Sequence, residues 1–335
     1  MKIAIIGAGA IAENIHIHSI KDMPDIQIAA VCDIDYDKAK NFADKWGIPA
    51  VYESHRTLIE KESIDAAIIL VWPDQLYRIT RDFLRAKIHC FIEKPAGITL
   101  FQAESLKRAS IEVGRLLQVS FNRRFVPLMR RVVEIMEDAT PITQIEGTFF
   151  KHDSASFYDG CSDAFVCDTV HALDIVSWLA DSPPTDAAML ASCYNSNIEN
   201  AWNTLVRFEN GITGIIKANY QTGGRVHLFE IHGPMASAYI NLGFGAEECK
   251  ADIIFAGQKG TFSLSSKGAG DVKHLHLCGK EIAGSDKYYR YYGYYDSLKN
   301  FFDAIRGDAC LVSPIESAVN SMHLVEFLRT KGRQI

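Results

Sequence analysis

Hydrophobic residues in the first 120 positions fall into short unbroken runs separated by stretches with helical spacing. The runs at 2–6, 27–32, 66–71, 88–92 and 116–119 are rich in Ile, Val, Leu and Ala and lack the polar alternation of a half-wet sheet. Runs of that kind suit parallel strands buried on both faces. Between them the pattern predicts helices near 10–22, 36–46, 74–86 and 100–114. Strand then helix, repeated without interruption, predicts a doubly wound α/β domain over residues 1–120.

Beyond Phe121 the pattern changes. It predicts a helix near 125–138 that ends before Pro141, a strand over 142–151, and a helix over 168–180 stopped by Pro183-Pro184. Segments 186–194, 202–208, 212–219, 226–232 and 237–242 read as strands, with a hairpin signal at Asn210-Gly211. Helices near 294–306 and 315–330 close the chain. Residues 121–335 are therefore expected to form an α+β domain on a largely antiparallel sheet, with terminal helices able to pack back on the first domain. Gly, Ser and Lys concentrate in 257–271, which reads as an exposed loop.

Composition narrows the function classes. The chain has 335 residues, of which 48% are hydrophobic and 23% charged, a balance that argues against disorder, collagen-like repeats and coiled coil. Its 35 basic and 41 acidic side chains leave a net charge of -6, which lacks the footprint of a nucleic-acid binder. The apolar stretch from Ile3 is broken by Gly7 and Gly9, and Ala66–Trp72 is too short for a bilayer, which needs about 20 residues. The start resembles a secretory leader, but its apolar segment is too short. Eight cysteines without a C-x-x-C pair read as reduced thiols in a cytoplasmic protein.

Chemistry enters at the first strand end. Gly7-Ala8-Gly9-Ala10-Ile11-Ala12 is a G-x-G-x-x-A turn between strand and helix. Gly7 permits the tight turn and Gly9 lets backbone approach a pyrophosphate, while Ala10 and Ile11 present the helix N-terminus. Asp33 closes the second strand, where a carboxylate accepts hydrogen bonds from a ribose diol. Asp33 and Asp35 with no Arg at 34–36 would repel a 2'-phosphate, so NAD is favoured over NADP. Asp35 is the better candidate for capping the next helix. Trp72 and Pro73 end the fourth strand and would border the cofactor. Glu93-Lys94-Pro95 ends the fifth, in the crevice where ligands of open α/β sheets bind, and Pro95 restricts Lys94 to extended geometry. By position alone Lys94 reads equally as a solvated partner of Glu93.

Several segments together resemble the glucose-fructose oxidoreductase, inositol dehydrogenase and MocA-like (Gfo/Idh/MocA) oxidoreductases. They are GAGAIA at 7–12, AAVCDID at 29–35, EKPAGITLFQAE at 93–104, LLQVSFNRRFVP at 116–127, DTVHALDIVSWL at 168–179, FEIHGPMASAYI at 229–240 and YYDSLKNFFDAIRGD at 294–308. The likeness is strongest to the virulence-factor MviM-like branch. It implies a Rossmann domain, a second α+β domain whose open sheet often makes subunit contacts, and hydride chemistry on sugars, cyclitols or their derivatives. A homo-oligomer, dimer or tetramer, is expected. The resemblance also implies that Lys94 approaches nicotinamide and substrate, and that Glu93 lies beside the cofactor. The family's Asp and His, usually four apart, correspond to Asp168 and His171, here three apart, with Cys167 at the position four before His171.

Oxidising a carbinol requires hydride transfer and loss of the hydroxyl proton. Histidine, with an ordinary pKa of about 6.5, suits His171 as general base or acid, although a buried core histidine fits the same helix pattern. Lys94 would stabilise charge on the reacting oxygen. Asn122 and Arg123 follow the sixth strand and read as substrate contacts or as ordinary charge balance; Tyr158, in the polar segment 152–163, is a candidate for the substrate pocket. His274, His276 and Cys278 alternate like metal ligands, yet ordinary strand side chains are the better reading, and no metal is expected. The tyrosines of 288–295 read as packing. The competing function is a regulator of the same fold that binds NAD or a sugar without turning it over.

Overall fold

The computed structural model describes residues 1–153, 162–243, 245–256 and 273–334. They form two compact units. The first holds Met1–Phe125, the residues leading through a π turn to Val170, and Tyr292–His323. The second holds the chain from Val126 through the strand Gln144–His152, then His171–Tyr291 and the residues from Leu324 on.

The first unit is built on six parallel strands. Across the sheet they run Ala50–Tyr52, Gln27–Cys32, Lys2–Ile6, Ala66–Ile69, His89–Ile92 and Leu117–Val119. Strand order reverses on either side of Lys2–Ile6, which opens a crevice beyond the carboxyl ends of that strand and of Ala66–Ile69. Ala50–Tyr52 and the helix His55–Lys61 were not expected from the pattern, because three and seven residues are too few to show a period. Ile3, Ile5, Ile68 and Phe91 share a core with Leu298, Phe301 and Phe302 from the helix Tyr294–Arg306. The Asp35 side chain accepts from the Lys38 N–H at 3.1 Å and so caps the helix Tyr36–Trp46, as expected.

The second unit is a nine-stranded sheet. Its order is Lys273–Cys278, Cys249–Phe255, Ala236–Leu242, Gln221–His232, Gln144–His152, Thr213–Asn219, Ala201–Phe208, Pro184–Ser192 and Arg333–Gln334. Pairing is antiparallel except between Gln144–His152 and Thr213–Asn219 and at the short last strand. The hairpin at Asn210-Gly211 forms, with Gly211 at φ 88° and Arg207 opposite Thr213. The helix Val170–Ala180 lies on this sheet, and glycine lets it come close: a Cβ on Gly214 would sit 2.7 Å from Val176 Cγ1. The strand Cys249–Phe255 lay outside the expected set, whereas Lys273–Cys278, paired to it, agrees with the reading of His274, His276 and Cys278 as ordinary strand side chains. Among the described residues no helix is long and apolar enough to cross a membrane.

Candidate active site

The turn after the first strand is shaped by what cannot fit there. Gly7 has φ 98°, and a Cβ on it would lie 2.6 Å from the Leu70 carbonyl oxygen, so only glycine passes between these two strand ends. Over Gly9 the space is open, the nearest atom to a Cβ there being Lys38 Nζ at 3.9 Å. A helix begins at Ala10 and includes Ile11, so its first N–H groups face the turn. Asp33 accepts from the Ala8 N–H at 2.8 Å and from the Asp35 N–H at 3.1 Å, which fixes its carboxylate beside the glycine turn. Lys38 Nζ is 3.5 Å from the same carboxylate. This lysine was not singled out from the sequence; its helix position three residues after the cap brings it back over the turn. A Cβ-free cradle, open helix N–H groups and a strand-end carboxylate fit a dinucleotide.

Trp72 stands at the N-terminus of the helix Pro73–Arg85, 60% exposed, with Pro73 buried at the first helical position. Both lie just past the end of Ala66–Ile69, on the crevice side of the sheet.

Lys94 follows the strand His89–Ile92, and its peptide bond to Pro95 is cis. Its ammonium donates to the Cys167 carbonyl oxygen at 2.5 Å and lies 4.0 Å from Asp168 Oδ1. The solvated-pair reading of Lys94 therefore fails: its side chain is only 12% exposed, and that of Asp168 7%. Cys167 and Asp168 belong to the π turn Phe165–Thr169, which leads directly into Val170–Ala180. A π turn takes more residues per turn than an α-helix and is frequent at functional sites. Here it coincides with the shortened Asp–His spacing, and it turns both the Cys167 carbonyl and the Asp168 carboxylate toward one lysine.

Glu93 is held from two sides. Its Oε1 accepts from His16 Nε2 at 2.9 Å, and its Oε2 accepts from the Lys94 backbone N–H at 3.3 Å. Burial pushes the Glu93 carboxyl up, but the His16 hydrogen bond and charge, with the Lys94 ammonium and a Ser120 hydrogen bond, more than reverse this and leave it below the usual glutamate value. His16 is a second residue that sequence reasoning missed. No local signal marks it, because Glu93 is 77 positions away.

His171 lies in the second unit, 5% exposed, with its ring centroid 6.4 Å from that of Phe149. Phe149 stacks on His227 at 3.8 Å, and Lys151 Nζ lies 4.9 Å from the Phe149 centroid. Asn122 and Arg123 are buried in the first unit. Asn122 Nδ2 donates to the Tyr292 carbonyl at 2.9 Å, and the Arg123 guanidinium lies 5.7 Å over the Tyr292 ring. Tyr158 lies outside the described residues. On the far strand His274 stacks on His276, which bonds Asp252. Among the described residues the ligand-type atoms that converge are instead those of Glu146, Glu230 and His232, where Lys217 lies 3.6 Å from Glu146.

A Rossmann unit with a glycine turn and a buried lysine at the fifth strand end, together with a second unit built on a broad sheet, defines a dinucleotide-binding oxidoreductase. The comparisons with known proteins specify the family. Residues 1–121 match the model described as oxidoreductase family, NAD-binding Rossmann fold, and residues 149–239 match that of the GFO/IDH/MocA C-terminal domain. The chain belongs to the Gfo/Idh/MocA oxidoreductase family. It is 28% identical over 249 residues to the uncharacterized oxidoreductase YrbE of Bacillus subtilis, covering 70% of this chain and 72% of that protein. It is 24% identical over 206 residues to an inositol 2-dehydrogenase/D-chiro-inositol 3-dehydrogenase of Lactiplantibacillus plantarum, covering 60% and 58%. Among solved structures, the UDP-N-acetylglucosamine 3-dehydrogenase of Acidithiobacillus ferrooxidans superposes with a TM-score of 0.83 at 16% identity, covering 99% of this chain and 97% of that one. An Agrobacterium radiobacter oxidoreductase in complex with NAD+ superposes with a TM-score of 0.80 at 18% identity, covering 97% and 94%.

Proposed function

We propose that the protein is an NAD-dependent dehydrogenase or reductase that moves a hydride between nicotinamide and a hydroxyl or keto carbon of a sugar, cyclitol or sugar derivative. The observation that carries this reading is Lys94, which is buried, held by the Cys167 carbonyl and set beside Asp168 at the crevice end of the sheet. The names of the inositol and nucleotide-sugar relatives support the substrate class.

Gly7, Gly9, Ala10 and Ile11 would hold the pyrophosphate, Asp33 the adenosine ribose, and Trp72, Pro73 and Glu93 the nicotinamide end. When bound, the cofactor supplies the hydride acceptor or donor. Lys94 donates a hydrogen bond to the reacting oxygen and stabilises alkoxide charge. His171 takes or returns the hydroxyl proton, and Asp168 orients the lysine. Asn122 and Arg123, both in contact with Tyr292, are assigned to substrate binding, and Tyr158 to specificity. NAD is preferred over NADP because Asp33 would face a 2'-phosphate with like charge, although Lys38 softens that contrast. The protein works as a homo-oligomer in the cytoplasm, where thiols such as Cys32 and Cys90 stay reduced.

The purified protein, incubated with NAD+ or NADP+ and a panel of polyols, aldoses, cyclitols and nucleotide sugars, should raise absorbance at the reduced-nicotinamide band with at least one of them. Cofactor binding without turnover across a broad panel would replace this reading with that of a regulator. A clear NADP preference would overturn the role given to Asp33.

A further inference from the structure

His16 stands where an aliphatic side chain would be expected. It is fully buried on the helix that opens from the glycine turn, with the rings of Phe91 and Tyr294 edge-on at 5.8 and 5.7 Å. Leucine or methionine would fill such a site without the cost of burying a polar ring. The imidazole has one polar contact among the described residues, Nε2 to Glu93 Oε1 at 2.9 Å, and its Nδ1 has no partner there. A carboxylate oxygen only accepts, so Nε2 carries a proton and donates to it. The other Glu93 oxygen receives the Lys94 backbone N–H. One carboxylate thus joins the first helix of the dinucleotide fold to the backbone of the reacting lysine.

We propose that His16 is a positioning residue, which through Glu93 fixes the backbone from which Lys94 reaches the reacting atoms and ties that lysine to the helix behind the dinucleotide turn. The proposal rests on the role assigned to Lys94 above. With the His16 N–H in place, Glu93 stays ionised and both its oxygens remain acceptors. Without it, Glu93 loses the foremost of the hydrogen bonds that hold it ionised, Ser120 supplying another, and a protonated Glu93 would release the Lys94 N–H. The charged or titratable groups around this chain of contacts are His16, Glu93, Lys94, Asp168 and the Tyr294 hydroxyl.

The test uses the full chain as wild type, His16→Leu, His16→Gln and Glu93→Gln. Reductive methylation with ¹³C-formaldehyde labels the lysines, and the Lys94 resonance is the one missing from Lys94→Arg. His16→Leu and Glu93→Gln should displace that resonance, whereas His16→Gln, which returns an N–H donor to nearly the same point, should restore it. NAD+ affinity of His16→Leu and His16→Gln should stay within about threefold of wild type, since neither removes a group placed at the cofactor. On any substrate the wild type turns over, His16→Leu should lower kcat about tenfold or more at similar KM and change its pH profile, with His16→Gln recovering most of the loss. An unmoved Lys94 resonance in folded His16→Leu, or equal impairment of the Leu and Gln variants, overturns the proposal. Should His16→Leu not fold, Glu93→Gln decides: a Lys94 resonance unchanged there overturns it as well. If the wild type turns over nothing, the catalytic reading fails, while the resonance still reports whether His16 sets the surroundings of Lys94.

Discussion

Single residues carry the dinucleotide site by what they leave out and the chemistry by what they are held against. Gly7 combines a left-handed φ of 98° with a carbonyl 2.6 Å from where a Cβ would lie. Gly7→Ala should therefore cost about 1–3 kcal/mol of stability and weaken NAD+ binding at least tenfold, as read by thermal unfolding and tryptophan quenching. Lys94→Met keeps an unbranched apolar side chain of nearly the same reach but removes its charge and donor. It should lower turnover by about 10²-fold or more while NAD+ still binds; preserved turnover would remove Lys94 from the chemistry. Gly7, Asp33 and Lys94 were legible because each sits at a fixed place relative to a strand end. Lys38 and His16 were not, since the groups they meet are brought to them by folding.

Helices and strands decide how those residues face each other. The helix entering at the π turn Phe165–Thr169 shows this: its pattern predicted a start at 168, but the widened turn that points Cys167 and Asp168 at Lys94 appears only in the fold. Gly214 lets the rest of that helix settle on the second sheet. Gly214→Val would press against Val176 and Val206 and should cost about 1–3 kcal/mol, checked by denaturant unfolding. Elsewhere, Asp82 on Pro73–Arg85 accepts from His55 and Arg56 on the neighbouring helix, at 2.9 and 3.1 Å. Burial raises its pKa, but these two partners more than reverse that and hold it below the ordinary 3.8. A depressed folded pKa means stability that is present above the unfolded value and lost as pH falls through the folded one. The gap in Tm between wild type and Asp82→Asn should thus be widest near neutrality and shrink below about pH 4; a gap independent of pH would show that the pair contributes nothing through charge.

At the scale of the whole molecule, burial also sets thiol chemistry. Burial raises the pKa of Cys32, with help from Asp33, and that of Cys249 to about 12 each, and raises that of Cys90 as well. With a disulfide reagent at mildly alkaline pH, Cys193 and Cys310 should react in the native protein, and Cys32, Cys90 and Cys249 only after unfolding. The chain's return is the larger lesson. Tyr294–Arg306 could be read as an amphipathic helix from its period, but that Leu298, Phe301 and Phe302 complete the core under the first strand followed only from the fold. The sequence by itself determined the parallel sheet, its glycine turn, the antiparallel hairpins and the chemical types gathered at the strand ends, because hydrophobic period and turn chemistry act over a few residues. Tertiary structure alone decided the π turn, the Lys94–Cys167–Asp168 contact, the His16–Glu93 pair and the strand Cys249–Phe255, because each depends on groups far apart in the chain whose meeting is set by how whole elements pack.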